Sequence, residues 1–254
     1  MVQNFDNSKE VSPFSKFAPY YDQFMLRYVN YQAWVDYIIK IFKHFRIQPK
    51  TILDLACGTG IPSILFAQKG YRIIAIDKSL PMLEVLRNKM QRKHYDIKII
   101  NADIRNFTVP EKVDVAISLY DSINYLLTEA DLYSCFHCVA EALKPDGLFI
   151  FDVNTIFCLE NFWDNSETIR QVNNIYTVWQ SSFDPIRRVS TLRLKVSVNE
   201  KISFEEIHKE RGYTESELEE NLKTAGFNDI RFYEHSTFLP STETTLRIMV
   251  VARR

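Results

Sequence analysis

The stretch that most constrains the fold is Thr51–Gly60, in which a short apolar run stops abruptly at Gly58, Thr59 and Gly60. Pro62 then opens a segment with apolar residues at helical spacing. This order predicts a buried strand, a tight turn and a helix, because proline is favoured in a helix's first turn and glycine where the backbone bends sharply or approaches a ligand. A turn of this kind after the first strand of a parallel α/β sheet is where such sheets bind nucleotides.

Asp54 distinguishes the two nucleotide-binding families that place glycines at this turn. In the dinucleotide pattern G-x-G-x-x-G/A the third small residue would fall on Ser63, so the match is incomplete. A carboxylate at Asp54 would repel a pyrophosphate, but it suits a ligand with a cationic end, such as S-adenosylmethionine (SAM). The stretch D-L-A-C-G-T-G resembles motif I of the class I SAM-dependent methyltransferases, D/E-x-G/A-x-G-x-G. The resemblance implies SAM as cofactor and S-adenosylhomocysteine (SAH) as its product; an NAD(P)-dependent oxidoreductase and a non-catalytic SAM-binding module remain alternatives.

Two further acids follow predicted strands. Asp77 ends the strand Tyr71–Ile76 and lies 19 residues beyond Gly58, the spacing at which a carboxylate binds both ribose hydroxyls. Asp103 follows the strand Asp96–Ile100 and resembles the methyltransferase residue that accepts a hydrogen bond from the adenine amino group; its alternative role is to cap a turn. The residues predicted to bind the cofactor are Tyr21, Asp54, Ala56, Gly58, Gly60, Asp77, Lys78, Met82, Ala102, Asp103, Ile104 and Leu119.

The remaining apolar runs predict the rest of the sheet. Val113–Leu119 and Leu148–Phe151 are predicted to be buried parallel strands. Residues 228–234 and 245–252 are joined by a connection without helical spacing, which predicts an antiparallel hairpin. The expected fold is α/β, a Rossmann-like, seven-stranded and mostly parallel sheet with a reversed last strand. The expected domains are a methyltransferase core (49–153 and 212–254), an N-terminal lid and helix (1–48) and a small antiparallel β insertion (154–211).

The insertion and the N-terminal segment each have a structural and a functional interpretation. Ile169–Ser182, Val189–Val198 and a third run from about Ile202 to His208 are predicted to be three antiparallel strands. In the structural interpretation these strands stabilise the fold or form a homodimer interface. In the functional interpretation they form a wall and roof of the substrate pocket. Likewise Tyr20 and Tyr21 either pack the N-terminal segment onto the core or belong to a lid, because F-x-x-x-Y-D is similar to a methyltransferase element whose tyrosine reaches the cofactor or the substrate.

The chemistry requires few catalytic groups. Methyl transfer from a sulfonium is an in-line displacement, for which the protein mainly aligns the reactants and excludes water. An oxygen nucleophile needs a general base, whereas an amine must only arrive deprotonated. His208, which resembles a substrate-side histidine of small-molecule methyltransferases, Asp121 and Tyr21 are the catalytic candidates, although a lone histidine is more often structural. The candidates for substrate binding are Tyr20, Tyr120, Asn124, Asn154, Trp179 and Arg211.

The composition limits the classes of partner that the protein is expected to bind. The 31 basic and 32 acidic residues nearly cancel, so neither nucleic acid nor a membrane surface is expected. No apolar run approaches the roughly 20 residues of a membrane span, and the N-terminus is too polar for a signal peptide, so we expect a cytoplasmic protein. The C-x-x-C at Cys135 and Cys138 has no second ligand pair, so no metal is expected. The expected acceptor is therefore a small molecule, methylated on nitrogen or oxygen.

Overall fold

The computed structural model describes residues 12–91, 94–199 and 201–254, so residues 1–11 of the predicted lid segment lie outside it. The helices are α1 (Ala18–Tyr28), α2 (Tyr31–His44), α3 (Ile61–Gln68), α4 (Leu80–Met90), α5 (Glu129–Ala142), α6 (Ile156–Cys158) and α7 (Glu215–Thr224). The strands are β1 (Thr51–Leu55), β2 (Arg72–Asp77), β3 (Ile97–Asn101), β4 (Val113–Ser118), β5 (Leu143–Asn154), β6 (Ser166–Val172), β7 (Ile175–Asp184), β8 (Val189–Val198), β9 (Lys201–Arg211), β10 (Asp229–Glu234) and β11 (Arg247–Arg253). A 3-10 turn covers Ser122–Tyr125 and a π-helical turn covers Leu159–Trp163.

The main sheet has seven strands in the order β10-β11-β5-β4-β1-β2-β3. The inner pairs are parallel, and β11 runs antiparallel to both of its neighbours, β5 and β10. Apolar side chains cover both faces, which is why β1 is buried along its whole length. The predicted α/β fold with a reversed last strand is confirmed. Because the order of the parallel strands reverses between β1 and β4, a ligand crevice is expected at their carboxyl ends.

The insertion is a separate sheet of four strands in the order β6-β7-β8-β9. The prediction of one continuous strand over Ile169–Ser182 was wrong. A two-residue turn separates β6 from β7, with Val172 paired to Ile175 and Asn173 at a φ of 54°. Asparagine tolerates this left-handed conformation better than most residues, so an Asn-Asn pair can form a tight hairpin inside an otherwise strand-like run. The fourth strand is also longer than predicted and runs from Lys201 to Arg211.

Helix α1 packs against the inner face of this insertion. Phe17 and Phe24 of the N-terminal segment form an apolar cluster with Val172, Leu194 and other buried side chains of the four-stranded sheet. The insertion and the N-terminal segment therefore form one cover over the carboxyl ends of the main strands. Within the described ranges, no helix is long and apolar enough to cross a membrane.

Candidate active site

A cavity of about 670 Å³ lies between the carboxyl ends of the core strands, α1 and the insertion. This volume is in the usual range for small-molecule sites, roughly 300–1,000 Å³. Fourteen of the residues predicted from the sequence line it: Tyr21, Asp54, Ala56, Gly58, Asp77, Lys78, Met82, Asp103, Ile104, Leu119, Tyr120, Asp121, Trp179 and His208. The fold therefore brings most of the predicted cofactor residues, and all three catalytic candidates, to one enclosed space.

Asp54 is a buried acid at the floor of this cavity. It lies near the carboxyl end of β1, and its carboxylate accepts a hydrogen bond from the hydroxyl of Ser63 in α3. Burial raises the pKa of Asp54 to about 7; the Ser63 hydrogen bond opposes this rise, and the nearby Asp77 carboxylate adds to it. A carboxyl that is this poorly solvated gains free energy when a cation arrives beside it.

The loop after β1 keeps its backbone close to the cavity. Ala56, Gly58 and Gly60 all have positive φ, at 51°, 54° and 73°. A Cβ atom added to Gly58 would meet nothing within 4 Å, so this glycine faces open space beside the cavity. A Cβ at Gly60 would instead overlap the side chain of Leu86. Gly60 does not line the cavity, and its glycine is explained by helix packing as well as by its left-handed φ.

Asp77 joins the loop to α4. One carboxylate oxygen accepts the amide of Gly58 at 2.8 Å and the other accepts the amide of Ser79 at 2.7 Å. Burial raises its pKa, although the two amides oppose the rise. Because each oxygen has more than one lone pair, the side chain can still accept hydrogen bonds from a ligand in the cavity.

Asp103 has the turn-capping role that was considered from the sequence, and its role toward the adenine stays a prediction. Its carboxylate accepts the amide of Arg105 at 2.9 Å, which is the turn-capping role, and also binds the Arg105 guanidinium through both oxygens. The guanidinium holds the pKa of Asp103 below its usual value. The residue also lines the cavity, so capping the turn does not remove it from the candidate cofactor site.

Two acidic side chains, Asp22 and Glu206, attach the N-terminal segment to the core and to the insertion. Asp22 of α1 accepts the hydroxyl of Thr59 at 2.5 Å and pairs with Lys89 of α4 at 2.7 Å, which ties α1 to the core. Glu206 of β9 is fully buried, and its carboxylate accepts the backbone amides of residues 14–17 at 2.7–3.1 Å. Although burial opposes it, hydrogen bonds from His208 and from these amides hold the pKa of Glu206 below its usual value.

A second group of charges lies beyond the ends of β4 and β5. Asp152 accepts the amides of Tyr120 and Asp121 at 2.7 and 2.9 Å, and both of these residues have positive φ. Arg247 of β11 pairs with Asp121 at 2.9 Å and with Asp152. Burial raises the pKa of Asp152 to about 6, while Arg247 lowers it and Asp121 raises it further. The loop is thus held in an unfavourable backbone conformation that turns Asp121 toward the cavity.

Strand β9 contributes the predicted His208 and two acids that the sequence interpretation missed, Glu206 and Glu210. Glu206, His208 and Glu210 alternate along the strand, so all three side chains point to the same face, and all are at least 97% buried. His208 Nδ1 lies 3.0 Å from the Tyr125 hydroxyl, and its Nε2 lies 3.4 Å from Glu206 Oε2. The side chain of Asn154 donates to Glu210 at 3.0 Å. Three ionisable residues at a spacing of two, of which Glu206 and His208 lie in the predicted strand and Glu210 just beyond its predicted end, were a signal for this cluster.

Several predicted residues lie outside the cavity lining. Asn124 donates to the carbonyls of Asn154 and Arg211 at 3.0 and 2.8 Å, and so joins the 3-10 turn to β5 and β9. Arg211 pairs with Glu217 and stacks over the ring of Tyr213. Tyr20 and Ala102 also fall outside the lining, and Tyr20 stacks on an aromatic ring of β9. These residues support the site's walls, whereas Arg247, Glu210 and Tyr125, which were not predicted, line the cavity.

The residues present fit the cofactor that motif I implies. The site combines a poorly solvated carboxylate for a cationic end, open space at Gly58 and a carboxylate with spare acceptor capacity at Asp77. In addition, the hydroxyl oxygen of Tyr120 is buried in the cavity wall, where no other group of the described residues is its hydrogen-bond partner. Buried polar atoms are nearly always paired, so this hydroxyl points to a polar ligand.

Comparison with known proteins identifies the class of protein to which this chain belongs. A family model described as a methyltransferase domain matches residues 52–147. The protein named "Putative methyltransferase YqeM" of Bacillus subtilis (strain 168) is 33% identical over 215 residues, which cover 83% of this chain and 85% of that protein. The structure of a SAM-dependent methyltransferase from Clostridium acetobutylicum ATCC 824 is 28% identical and has a TM-score of 0.83, with 94% of this chain and 97% of that chain covered.

A third relative has a named acceptor. It is the dTDP-3-amino-3,4,6-trideoxy-alpha-D-glucopyranose N,N-dimethyltransferase of Streptomyces venezuelae, 27% identical over 136 residues, which cover 53% of this chain and 56% of that protein. Other solved structures of the same fold contain bound SAM or SAH.

This chain therefore belongs to the class I SAM-dependent methyltransferases. SAM is its cofactor, as motif I implied, and the chain is an enzyme of methyl transfer. The alternatives of an NAD(P)-dependent oxidoreductase and of a non-catalytic SAM-binding module are set aside.

Proposed function

We propose that this enzyme transfers the methyl group of SAM to a nitrogen atom of a small-molecule acceptor. One observation carries the proposal: the cavity does not end at the predicted cofactor residues. It continues past Asp121 to Glu210 and to the insertion, where Trp179 and Leu194 line it. This extension offers an acceptor both an acidic wall and an apolar wall.

In this proposal the predicted residues hold the cofactor from three sides. Asp54 faces its ammonium end, Asp77 accepts from the ribose hydroxyls and Asp103 accepts from the adenine amino group. SAM supplies a methyl group on a positively charged sulfur, which is an excellent leaving group. The protein's part is to align the acceptor and exclude water, which Tyr21 and α1 do by covering the loop after β1.

Nitrogen is favoured over oxygen by the charges that line the acceptor end. Methyl transfer moves positive charge onto the acceptor atom, and carboxylates close to that atom stabilise the charge. An oxygen acceptor would instead need a general base. His208 is the candidate base, but its ring is enclosed by Glu206, Tyr125 and Phe14, whose ring centroid lies 4.7 Å away. We therefore assign His208 and Tyr125 to the orientation of the acceptor. The sugar N,N-dimethyltransferase relative supports a nitrogen acceptor.

A small acceptor is favoured over a macromolecule because the cleft beneath the cover formed by α1 and the insertion has a volume of about 670 Å³, which is that of a small-molecule site. A cytoplasmic location belongs to this proposal as well, because all four cysteines are unpaired, as is usual in a reducing compartment. Absence of nucleic acid and membrane partners, and a homodimer through the insertion, remain predictions.

The test is methyl transfer from SAM with an isotopically labelled methyl group to matched pairs of small compounds. Each pair contains an amine and the alcohol of the same skeleton, and aminosugars are included. Label on the amines, with the alcohols unlabelled, supports the proposal. Label on the alcohols, or on added protein or nucleic acid instead, would contradict it. The Asp77→Ala variant, which removes the acceptor proposed for the ribose, serves as the control for transfer that does not use this site.

A further inference from the structure

Glu210 is a buried acid that the fold leaves incompletely satisfied. Of the three inward side chains of β9, Glu206 accepts four backbone amides and His208 has Tyr125 as partner. Among the described residues, the side chain of Asn154 is the one hydrogen-bond donor to the Glu210 carboxyl. Glu210 is only 3% exposed, yet it lines the cavity. Buried carboxylates are costly, so a glutamate at this position carries a free-energy penalty that its contacts within the fold offset only in part.

Acids outnumber bases around this side chain. Asp121, on the loop after β4, lies close enough to Glu210 for its charge to raise the pKa of Glu210, and Arg247 of β11 pairs with Asp121 and Asp152. The other titratable groups that face Glu210 are Tyr125 on the 3-10 turn, Cys158 on α6 and His208 on β9. Three carboxyls thus share a single guanidinium, and the described part of the wall can accommodate one more cation.

Glu210 is the member of this group that carries a proton. Two neighbouring buried carboxylates repel each other when both are ionised, so the pair favours a state with one proton. Arg247 lies 2.9 Å from Asp121, whereas no cation of the described residues lies at ion-pair distance from Glu210, so the proton belongs to Glu210. The pKa values agree: burial, followed by the charge of Asp121, raises the pKa of Glu210 well above its ordinary value.

We propose that Glu210 and Asp121 together form the subsite that selects the acceptor's amino group, and that the proton of Glu210 is exchanged with that group. This inference rests on the proposed transfer to nitrogen. An ammonium that enters the subsite supplies the missing cation, so one proton leaves to solvent and one proton remains shared between Glu210 and the acceptor nitrogen. Glu210 is thereby a specificity-determining residue that distinguishes amines from neutral acceptors.

The proton and charge balance of the transfer follows from this arrangement. When the shared proton moves to Glu210, the lone pair of the nitrogen becomes free. The nitrogen then bonds to the methyl carbon while the carbon–sulfur bond breaks and its electron pair stays on sulfur. Positive charge passes from sulfur to nitrogen, beside the ionised Asp121. The product ammonium can later return one proton to solvent, which restores the starting state.

The test uses two ligands that differ at the position of the transferred methyl. SAH has no group there, whereas sinefungin, its analogue with a C–NH₃⁺ group in place of the sulfonium methyl, presents a cation toward the acceptor side. Titration calorimetry measures both affinities for the wild type, for Glu210→Gln and for Glu205→Gln. Glutamine has the shape of protonated glutamic acid, so the fold is preserved. Glu205 lies on the same strand with its side chain on the opposite face, paired with Arg193, and is the matched control.

The wild type and Glu205→Gln are expected to prefer sinefungin over SAH, and Glu210→Gln is expected to reduce that preference about 10- to 100-fold, the value of a hydrogen bond to a charged group. SAH affinity should stay unchanged in all three proteins. In buffers of different ionisation enthalpy, the wild type should release one more proton with sinefungin than with SAH, and Glu210→Gln should not.

Two results would overturn the inference, and they are distinguishable. If SAH binds but the preference and the proton release are the same in Glu210→Gln as in the wild type, then Glu210 is only a structural link between Asn154 and Asp121. If neither ligand binds to the wild type, the proposed function fails together with the inference.

Discussion

Replacing Asp54 by asparagine should abolish a pH dependence of ligand binding that the wild type shows. The pKa of Asp54 is about 7 in the folded protein, against an ordinary value of 3.8. That difference corresponds to about 4 kcal/mol of lost stability for the ionised form. The sign follows from linkage: at low pH the carboxyl is protonated in both the folded and the unfolded states. As the pH rises from about 4 to 7, the folded state becomes progressively less stable relative to the unfolded one.

A ligand ammonium beside Asp54 returns its pKa toward the ordinary value. Binding then releases a proton, so the affinity for SAH should rise between about pH 5 and 7, by at most about tenfold per pH unit, and then level off. Asp54→Asn keeps the shape and can still accept from Ser63, but it should bind SAH about 1.5–3 kcal/mol more weakly above pH 7, with little pH dependence. The same substitution should raise the thermal stability of the empty protein at that pH.

The assay is calorimetric titration with SAH over this pH range. The matched ligand is 5′-methylthioadenosine, which lacks the amino acid end and should bind to both proteins with little pH dependence. A wild-type affinity for SAH that does not change with pH, or a slope that persists in Asp54→Asn, would refute the assignment of Asp54 to the ammonium.

Four further substitutions separate binding from folding. Both glycines have positive φ, so Gly58→Ala and Gly60→Ala share the cost of that backbone conformation. Gly58→Ala should in addition weaken SAH binding, because its Cβ meets only open space beside the cavity, whereas Gly60→Ala should lower the melting temperature further because its Cβ overlaps Leu86. Equal effects of the two substitutions on SAH affinity and on melting temperature would refute the distinction. Glu206→Ala leaves one buried and three partly buried backbone amides without their acceptor and should cost about 3 kcal/mol in chemical unfolding. Since the pKa of Glu206 is lowered in the folded state, its contribution is present above about pH 4.5 and is lost as the pH falls further. His208→Ala should leave SAH affinity intact while slowing turnover of an identified acceptor, and a collapse of SAH affinity would show instead that the histidine is structural.

The cofactor half of the site could be predicted from the sequence because its residues lie at the ends of successive strands, whose order along the chain shows where they meet. Asp54, Asp77 and Asp103 each lie near the carboxyl end of one of three parallel strands, and parallel strands bring those ends to one edge. Gly58 and Gly60 belong to the same turn, but only packing against Leu86 shows that they serve different purposes.

The acceptor half could not be predicted in the same way. Glu210 and Arg247 meet there from an insertion strand and from the last core strand, and neither lies in a local motif. Asn124 and Asn154 carried the right chemistry for substrate binding, yet their side chains are used by the backbone and by Glu210. Whether a polar residue near a site can bind a ligand therefore depends on the hydrogen bonds that its side chain already makes within the fold.

The most direct test of the account is a crystal structure of the enzyme with SAH bound. We expect the ammonium of SAH beside Asp54, the ribose hydroxyls at Asp77 and the adenine near Asp103. The sulfur should face the part of the cavity that contains Asp121 and Glu210. An SAH molecule bound with its sulfur turned away from these two acids, or bound elsewhere on the protein, would contradict it.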